Sequence, residues 1–264
     1  MIVVQLSDFH LCGPGQLYAG LVPSLAMAKV AIAEVNRLDP QPDLVVISGD
    51  LTDTAEAAAY ALVREVLADL RAPHVVMPGN HDERGAVRAA FVDHAYLPPD
   101  GPLHYCIDDG PIRIVALDST VPGLHHGEID APQLAWLAAT LAADRERPAL
   151  VFLHHHPFAS GIPYLDRYNL INAAGLASVV GAHPQVAAVL CGHVHRAMAA
   201  RFAGTMALSC PSTASQIALR LAADAEPASF LQPPGGLLHR LAEDGRIVTH
   251  GFPIGDYGAP MDFF

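Results

Sequence analysis

The stretch Ile2-Val-Val-Gln-Leu-Ser-Asp8-Phe-His10 sets a pattern for the chain: a short β-branched apolar run that ends abruptly in oxygen and nitrogen donors. Such a run reads as a buried strand, which delivers polar groups at its carboxyl end. The same order returns in Leu44-Val-Val-Ile before Ser48-Gly49-Asp50, and in His74-Val-Val-Met before Pro78-Gly79-Asn80-His81-Asp82. It returns again in Ala149-Leu-Val-Phe-Leu before His154-His155-His156-Pro157, and in Val186-Ala-Ala-Val-Leu before Cys191-Gly192-His193-Val194-His195.

Segments 24–37, 55–70 and 130–143 separate these runs and are rich in Ala, Leu and Glu, with apolar residues at helical spacing such as Leu62, Val66 and Leu70. Strand alternating with helix implies crossover connections and a parallel or mixed sheet, with ligands at the carboxyl ends of the strands. All five polar clusters then share one rim. Further short strands are expected at 103–107, 112–117, 206–209, 237–241 and 246–250, the last two joined by an Asp244-Gly245 turn. Strands in both halves predict an α/β architecture of two packed sheets flanked by helices.

A chain of 264 residues that is 52% hydrophobic can bury one large core, so a single domain over 1–264 is expected. Residues 222–264 read as a C-terminal loop, hairpin and tail, with Pro227, Pro233 and Pro234 marking the loop. The terminal Phe263-Phe264 pair is expected to pack on something.

With 15 Lys+Arg against 27 Asp+Glu the formal charge is −12, which disfavours long nucleic acid and anionic membrane as partners. A small anion is still admissible, because a bound metal cluster adds local positive charge. No signal peptide pattern precedes Asp8, and the apolar runs fall well short of the roughly 20 residues of a membrane helix. Cys12, Cys106, Cys191 and Cys210 are scattered, with no CxxC pair, which suits reduced thiols and a cytoplasmic location. A homo-oligomer is compatible with the sequence.

An Asp at a strand end is by itself more often a cap than a ligand. Here five strand ends together supply two carboxylates, a carboxamide and four imidazoles, a convergence that turn chemistry does not require. Donors of this kind without thiolate suit Fe, Mn, Zn or Co. Seven side chains exceed the needs of one catalytic ion. If Asp50 bridges, Asp8, His10 and His195 complete one site, and Asn80, His155 and His193 the other. Two divalent ions outweigh two carboxylates and a bridging hydroxide, so the centre stays positive and suits a phosphate ester. His81, next to Asn80, is placed to stabilise the transition state or to protonate a leaving alkoxide. Tyr18, His156, Tyr164 and Tyr168 are candidates to line a substrate pocket, and Asp53 and Asp82 to orient ligand imidazoles or cap helices. His125 and His126, in a Gly-bearing loop, read as solvated.

These residues resemble the calcineurin-like metallophosphoesterase superfamily. Its DxH, GDxxD, GNHD, HHP and GHxH elements match Asp8-Phe-His10, Gly49-Asp50-Leu-Thr-Asp53, Gly79-Asn-His-Asp82, His155-His-Pro157 and Gly192-His-Val-His195. Within the superfamily the resemblance is nearest to bacterial class III cyclic nucleotide phosphodiesterases and glycerophosphodiesterases, through Gln16-Leu-Tyr18, Leu38-Asp-Pro-Gln-Pro-Asp43, Leu117-Asp-Ser119 and residues 236–240. The resemblance implies a four-layer αββα sandwich, two divalent metal ions, and hydrolysis of small phosphate diesters by a metal-bridging hydroxide. It also supports His81 as a catalytic histidine outside the ligand set. Thr54-Ala55 and Asp82 depart from the protein Ser/Thr phosphatase pattern. In the run His154-His155-His156, alignment on Pro157 selects His155 as ligand. The alternatives are a phosphomonoesterase or small nuclease with the same metals, and a catalytically silent scaffold, which would have lost ligands.

Overall fold

The computed structural model describes residues 1–258 and 261, so Phe263 and Phe264 lie outside the described residues. Each apolar run forms a strand buried on both faces, which is why it reads as continuous rather than alternating. In chain order the first half contains β1 (Ile2–Leu6), α1 (Ser24–Arg37), β2 (Leu44–Ser48), α2 (Ala57–Ala68), β3 (His74–Met77), α3 (Arg84–Ala90), β4 (Tyr105–Ile107) and β5 (Arg113–Leu117). The second half adds α4 (Ala131–Ala142), β6 (Ala149–Leu153), α5 (Ala173–Gly181), β7 (Val186–Cys191), β8 (Met198–Phe202) and β9 (Thr205–Ser209). It ends with β10 (Gln216–Ile217), β11 (Ser229–Phe230), β12 (Gly235–Leu241) and β13 (Ile247–Pro253).

One sheet has the order β13-β12-β1-β2-β3 and the other β4-β5-β6-β7-β9-β8, while β10 and β11 form a separate ribbon. β1, β2 and β3 are parallel, as are β5, β6, β7 and β9. The period of two along each strand builds the layers. Val4, Leu6, Val45 and Ile47 pack under α1 and α2. Val3, Leu44, Val46, Leu150, Phe152 and Leu190 meet between the sheets. Val151 and Leu153 turn outward to α4 and α5, with Leu137, Leu141, Leu176 and Val180. The result is the expected four-layer sandwich of two mixed sheets. Between the sheets, Gln5 donates from Nε2 to Ser48 Oγ at 2.8 Å and to the Cys191 carbonyl at 3.1 Å, tying β1 and β2 to β7 just below the site.

α3, α5, β8 and the β10–β11 ribbon lie outside the expected elements. α3 has only seven residues, too few for periodicity to register, and is set by Glu83, whose carboxylate accepts from the Gly85 and Ala86 amides. α5 carries Gly175 and two adjacent valines, a composition of low helix propensity held by packing of Leu176 and Val180. The C-terminal hairpin is part of the first sheet, because β12 pairs directly with β1. Among the described residues no helix is long and apolar enough to cross a membrane.

Candidate metal centre

The carboxyl ends of β1, β2, β3, β6 and β7 converge where the two sheets meet. The chain turns sharply there: Asp8, His10, Asp50, His193 and His195 all have positive φ, between 46° and 68°. Asp and His tolerate this left-handed region better than most residues, yet each still costs about 1–2 kcal/mol. The turns must also pass close together. A Cβ on Gly192 would collide with the Ser7 hydroxyl and lie 2.9 Å from Asp8 Oδ2. A Cβ on Gly79 would strike Asp50, so the positions before Asn80 and His193 have room only for glycine.

One group comprises Asp8, His10, Asp50 and His195, all buried. His195 donates from Nδ1 to the Ser215 carbonyl at 2.8 Å, so its Nε2 lone pair faces the group. That nitrogen lies 3.1 Å from His10 Nε2 and 3.4 Å from Asp8 Oδ1, while His10 Nε2 is 3.5 Å from Asp50 Oδ2. Asp50 Oδ1 is occupied by the His81 amide at 2.9 Å, leaving Oδ2 for the group. Both Asp8 oxygens accept from the His193 amide, at 3.1 and 3.2 Å.

The second group is Asp50, His154 and His193. His154 donates from Nδ1 to the Ser48 carbonyl at 2.8 Å and aims Nε2 at Asp50 Oδ2, 3.2 Å away. His154 Nε2, His193 Nε2 and Asn80 Oδ1 are all buried without a hydrogen-bond partner. Two of these atoms surround the Asp50 carboxylate and the third belongs to a residue of the same cleft, which fits a cation, because burying such groups unpaired is otherwise costly.

His154 therefore stands where His155 was expected. His155 is saturated: Nε2 donates to the His125 carbonyl at 3.1 Å, so Nδ1 accepts from the Ser119 hydroxyl at 2.8 Å. Strand parity explains the difference. Leu150 and Phe152 of β6 face the other sheet, so His154 continues that face toward Asp50, and His155 turns to the opposite side. His156, expected to meet substrate, is fully buried and stacked on His193, with ring centroids 5.7 Å apart.

Burial pushes the Asp8 carboxyl up, but His195 and His154 outweigh it and hold it at about 2. Burial opposes protonation of His154, yet Asp50 and Asp8 raise it to about 9. Two buried carboxylates thus create a negative field that the side chains answer only with imidazoles. Burial works against a charged His81, but Asp50 and Asp53 carry it up to about 10. His81 donates from Nδ1 to the Asp53 carbonyl at 2.8 Å, and Asp53 Oδ1 lies 3.4 Å from His81 Nδ1 and 3.5 Å from His10 Nδ1. Asp53 thus lies between a member of the first group and His81. Asp82 instead accepts from the Leu51, Thr52 and Gly79 amides and from Tyr60, organising the turns.

A cleft of about 310 Å³ opens onto both groups, lined by His81, Tyr18, Tyr164 and Tyr168 among others. Tyr18 stacks face to face on His10 at 4.4 Å. His125 is exposed, as expected from the sequence, and also lines the cleft with its Nδ1 3.2 Å from Asn80 Nδ2. The bridges Thr120↔Gly127 and Gly127↔Leu170 hold its loop there, a long-range pairing with no local sequence signal. Neither nearby arginine lines the cleft: Arg84 binds Asp118 and the Thr120 carbonyl, and Arg196 the Ile217 carbonyl.

A family profile described as calcineurin-like phosphoesterase matches residues 1–197. A probable glycerophosphodiester phosphodiesterase from Arcobacter nitrofigilis is 35% identical over 265 residues, covering 100% of this chain and 97% of that protein. The 3′,5′-cyclic adenosine monophosphate phosphodiesterase of Escherichia coli K12 is 34% identical over 214 residues, covering 81% of this chain and 76% of that protein. Among solved structures, a dimetal phosphatase from Danio rerio superposes with a TM-score of 0.67 at 15% identity, over 97% of this chain and 99% of that one, a likeness of fold.

Proposed function

Because the chain belongs to the calcineurin-like phosphoesterase family, we propose that it is a metal-dependent phosphoric diester hydrolase acting on small diesters, either 3′,5′-cyclic nucleotides or glycerophosphodiesters. The ligand sets we assign are Asp8, His10, Asp50 and His195 for one ion, and Asp50, Asn80, His154 and His193 for the other. The three orphaned buried acceptors support the second set. Two divalent ions held there would lower the pKa of bound water to near neutrality and polarise the phosphoryl oxygens. Around them the chain's own groups orient the ester. His81, fixed through Nδ1 by the Asp53 carbonyl, presents Nε2 toward the cleft as proton donor to the departing oxygen. Tyr18, Tyr164 and Tyr168 flank the organic part. Four free cysteines and the acidic charge suit a cytoplasmic enzyme.

The observation that favours diester over monoester is that no Lys or Arg lines the cleft among the described residues. A monoester carries an additional negative charge, which proteins commonly clamp with Arg or Lys. Arg84 and Arg196, the nearest in sequence, are not among the residues that line the cleft. Comparing bis(p-nitrophenyl) phosphate with p-nitrophenyl phosphate, and cyclic AMP with AMP, tests the reading through kcat/KM. The diesters should turn over with the higher kcat/KM in both pairs; faster turnover of both monoesters overturns the assignment.

A further inference from the structure

A second cavity, of about 220 Å³, opens beside the metal cleft and shares Tyr18, Tyr164, His195 and Ile217 with it. Its far wall is the β10–β11 ribbon and the loop between its strands. The ribbon is pinned: Arg196 donates to the Ile217 carbonyl at 2.7 Å, Ala218 N to the Ala228 carbonyl at 2.8 Å, and Gln216 Nε2 to the Ser212 carbonyl at 2.8 Å. The wall is therefore a formed surface rather than a loose loop.

We propose that this side cavity receives the nucleobase of a nucleoside diester, so that the 216–230 ribbon sets which diester the enzyme takes. The inference rests on the diesterase reading above. The cavity is walled by Ile162, Pro163, Ile217, Ala218 and Pro227, surfaces that match the flat apolar faces of a heteroaromatic ring. Arg220 is the one Arg or Lys side chain lining either cavity among the described residues. It is held by a 3.0 Å bond from Nη1 to the Glu226 carbonyl, and its other N–H groups are donors suited to ring nitrogens and carbonyls of a base. Glycerol has no flat face to cover these apolar side chains and so gains less from their burial than a base does. Because the cavity joins the metal cleft at Tyr18 and Tyr164, a base seated there leaves its attached phosphate within the cleft.

Ala228 lines the side cavity but not the cleft, so Ala228→Trp should fill the former and spare the latter. Calorimetry with adenosine, which has no phosphate to reach the metals, reads the cavity directly. The native protein should bind adenosine, and Ala228→Trp should weaken that binding on the order of 10-fold to 100-fold, the scale of losing one stacked base. KM for cyclic AMP should rise in parallel, while kcat/KM for glycerophosphoethanolamine stays within about twofold, too small a change for the loss of a stacked base. Should Ala228→Trp fail to fold, Pro227→Trp on the exposed side of the same wall carries the same expectation. Equal adenosine binding by native and variant proteins, or equal losses for both diesters, overturns the inference. Failure of the native enzyme to cleave any diester would instead overturn the diesterase reading, and adenosine binding would still report on the cavity.

Discussion

Asp50 stands in both donor groups, with one oxygen held by the His81 amide and the other 3.2 Å from His154 Nε2. Asp50→Ala should therefore remove both ions, whereas His154→Ala removes one and His155→Ala leaves two, as elemental analysis of purified protein will report. Loss of an ion in His155→Ala but not in His154→Ala would restore the assignment made by alignment on Pro157. The parity of β6 was in the sequence all along: Leu150, Phe152 and His154 share one face, and counting by twos from the apolar run selects His154. His81 admits a separate test. His81→Ala should keep the metal content and slow esters with alkoxide leaving groups on the order of 10²–10⁴-fold, with a smaller effect on nitrophenolate esters, which depart without a proton. Equal losses for both kinds would assign His81 to charge stabilisation or to positioning Asn80.

At the scale of the element, the turn after β7 depends on a residue with no side chain. Gly192→Ala should displace Ser7 or Asp8 and lower metal occupancy of the first site, since its Cβ has no room beside them. β12 adds a pH dependence. It sets His239 between the sheets, edge-on to Phe152 at 6.2 Å, with Nδ1 2.9 Å from Thr249 Oγ1 and Nε2 unpartnered. Burial lowers its pKa to about 3, so below the unfolded value of 6.5 the unfolded chain takes up a proton that the folded one refuses. Its contribution is full above pH 6.5 and is lost as pH falls toward 3, at up to about 1.4 kcal/mol per pH unit. Urea unfolding at pH 7, 6 and 5 should give a shallower decline for His239→Leu, and parallel declines would exclude the effect. The strands and their polar ends were legible because both signals are local. What stayed hidden was fixed by distant pairing, as in the His125 loop against Leu170 and the β10–β11 ribbon, or was too short for periodicity to register, as in the seven-residue α3.

For the molecule as a whole, the question is whether residues beyond 234 are an appendage, as a loop, hairpin and tail would suggest, or part of the domain. β12 covers β1 over Ile2↔Arg240 to Gln5↔Leu237, and β13 covers β12 in turn. Leu237 and Ile254 are buried, and Leu238 and Phe252 pack on the core under α1 and α2. Each fully buried Leu or Ile is worth about 1.5–3 kcal/mol, against a total stability of only about 5–15 kcal/mol. Removing the hairpin would also turn β1, the strand that ends in Asp8, into an unpaired edge. The site would feel the loss through Ser212, which donates to the Asp8 carbonyl at 2.9 Å and accepts at its own carbonyl from the Gly235 amide at 3.3 Å. A chain ending at residue 234 should therefore fail to give soluble protein with a cooperative unfolding transition. In the 264-residue chain, Leu237→Ala should cost about 2–5 kcal/mol. At about 2–4 °C per kcal/mol for a chain of this size, Tm falls on the order of 10 °C. Soluble, metal-binding 1–234 protein with a sharp melting transition would mean that β1 is stable as an edge and that the hairpin is separable from the domain.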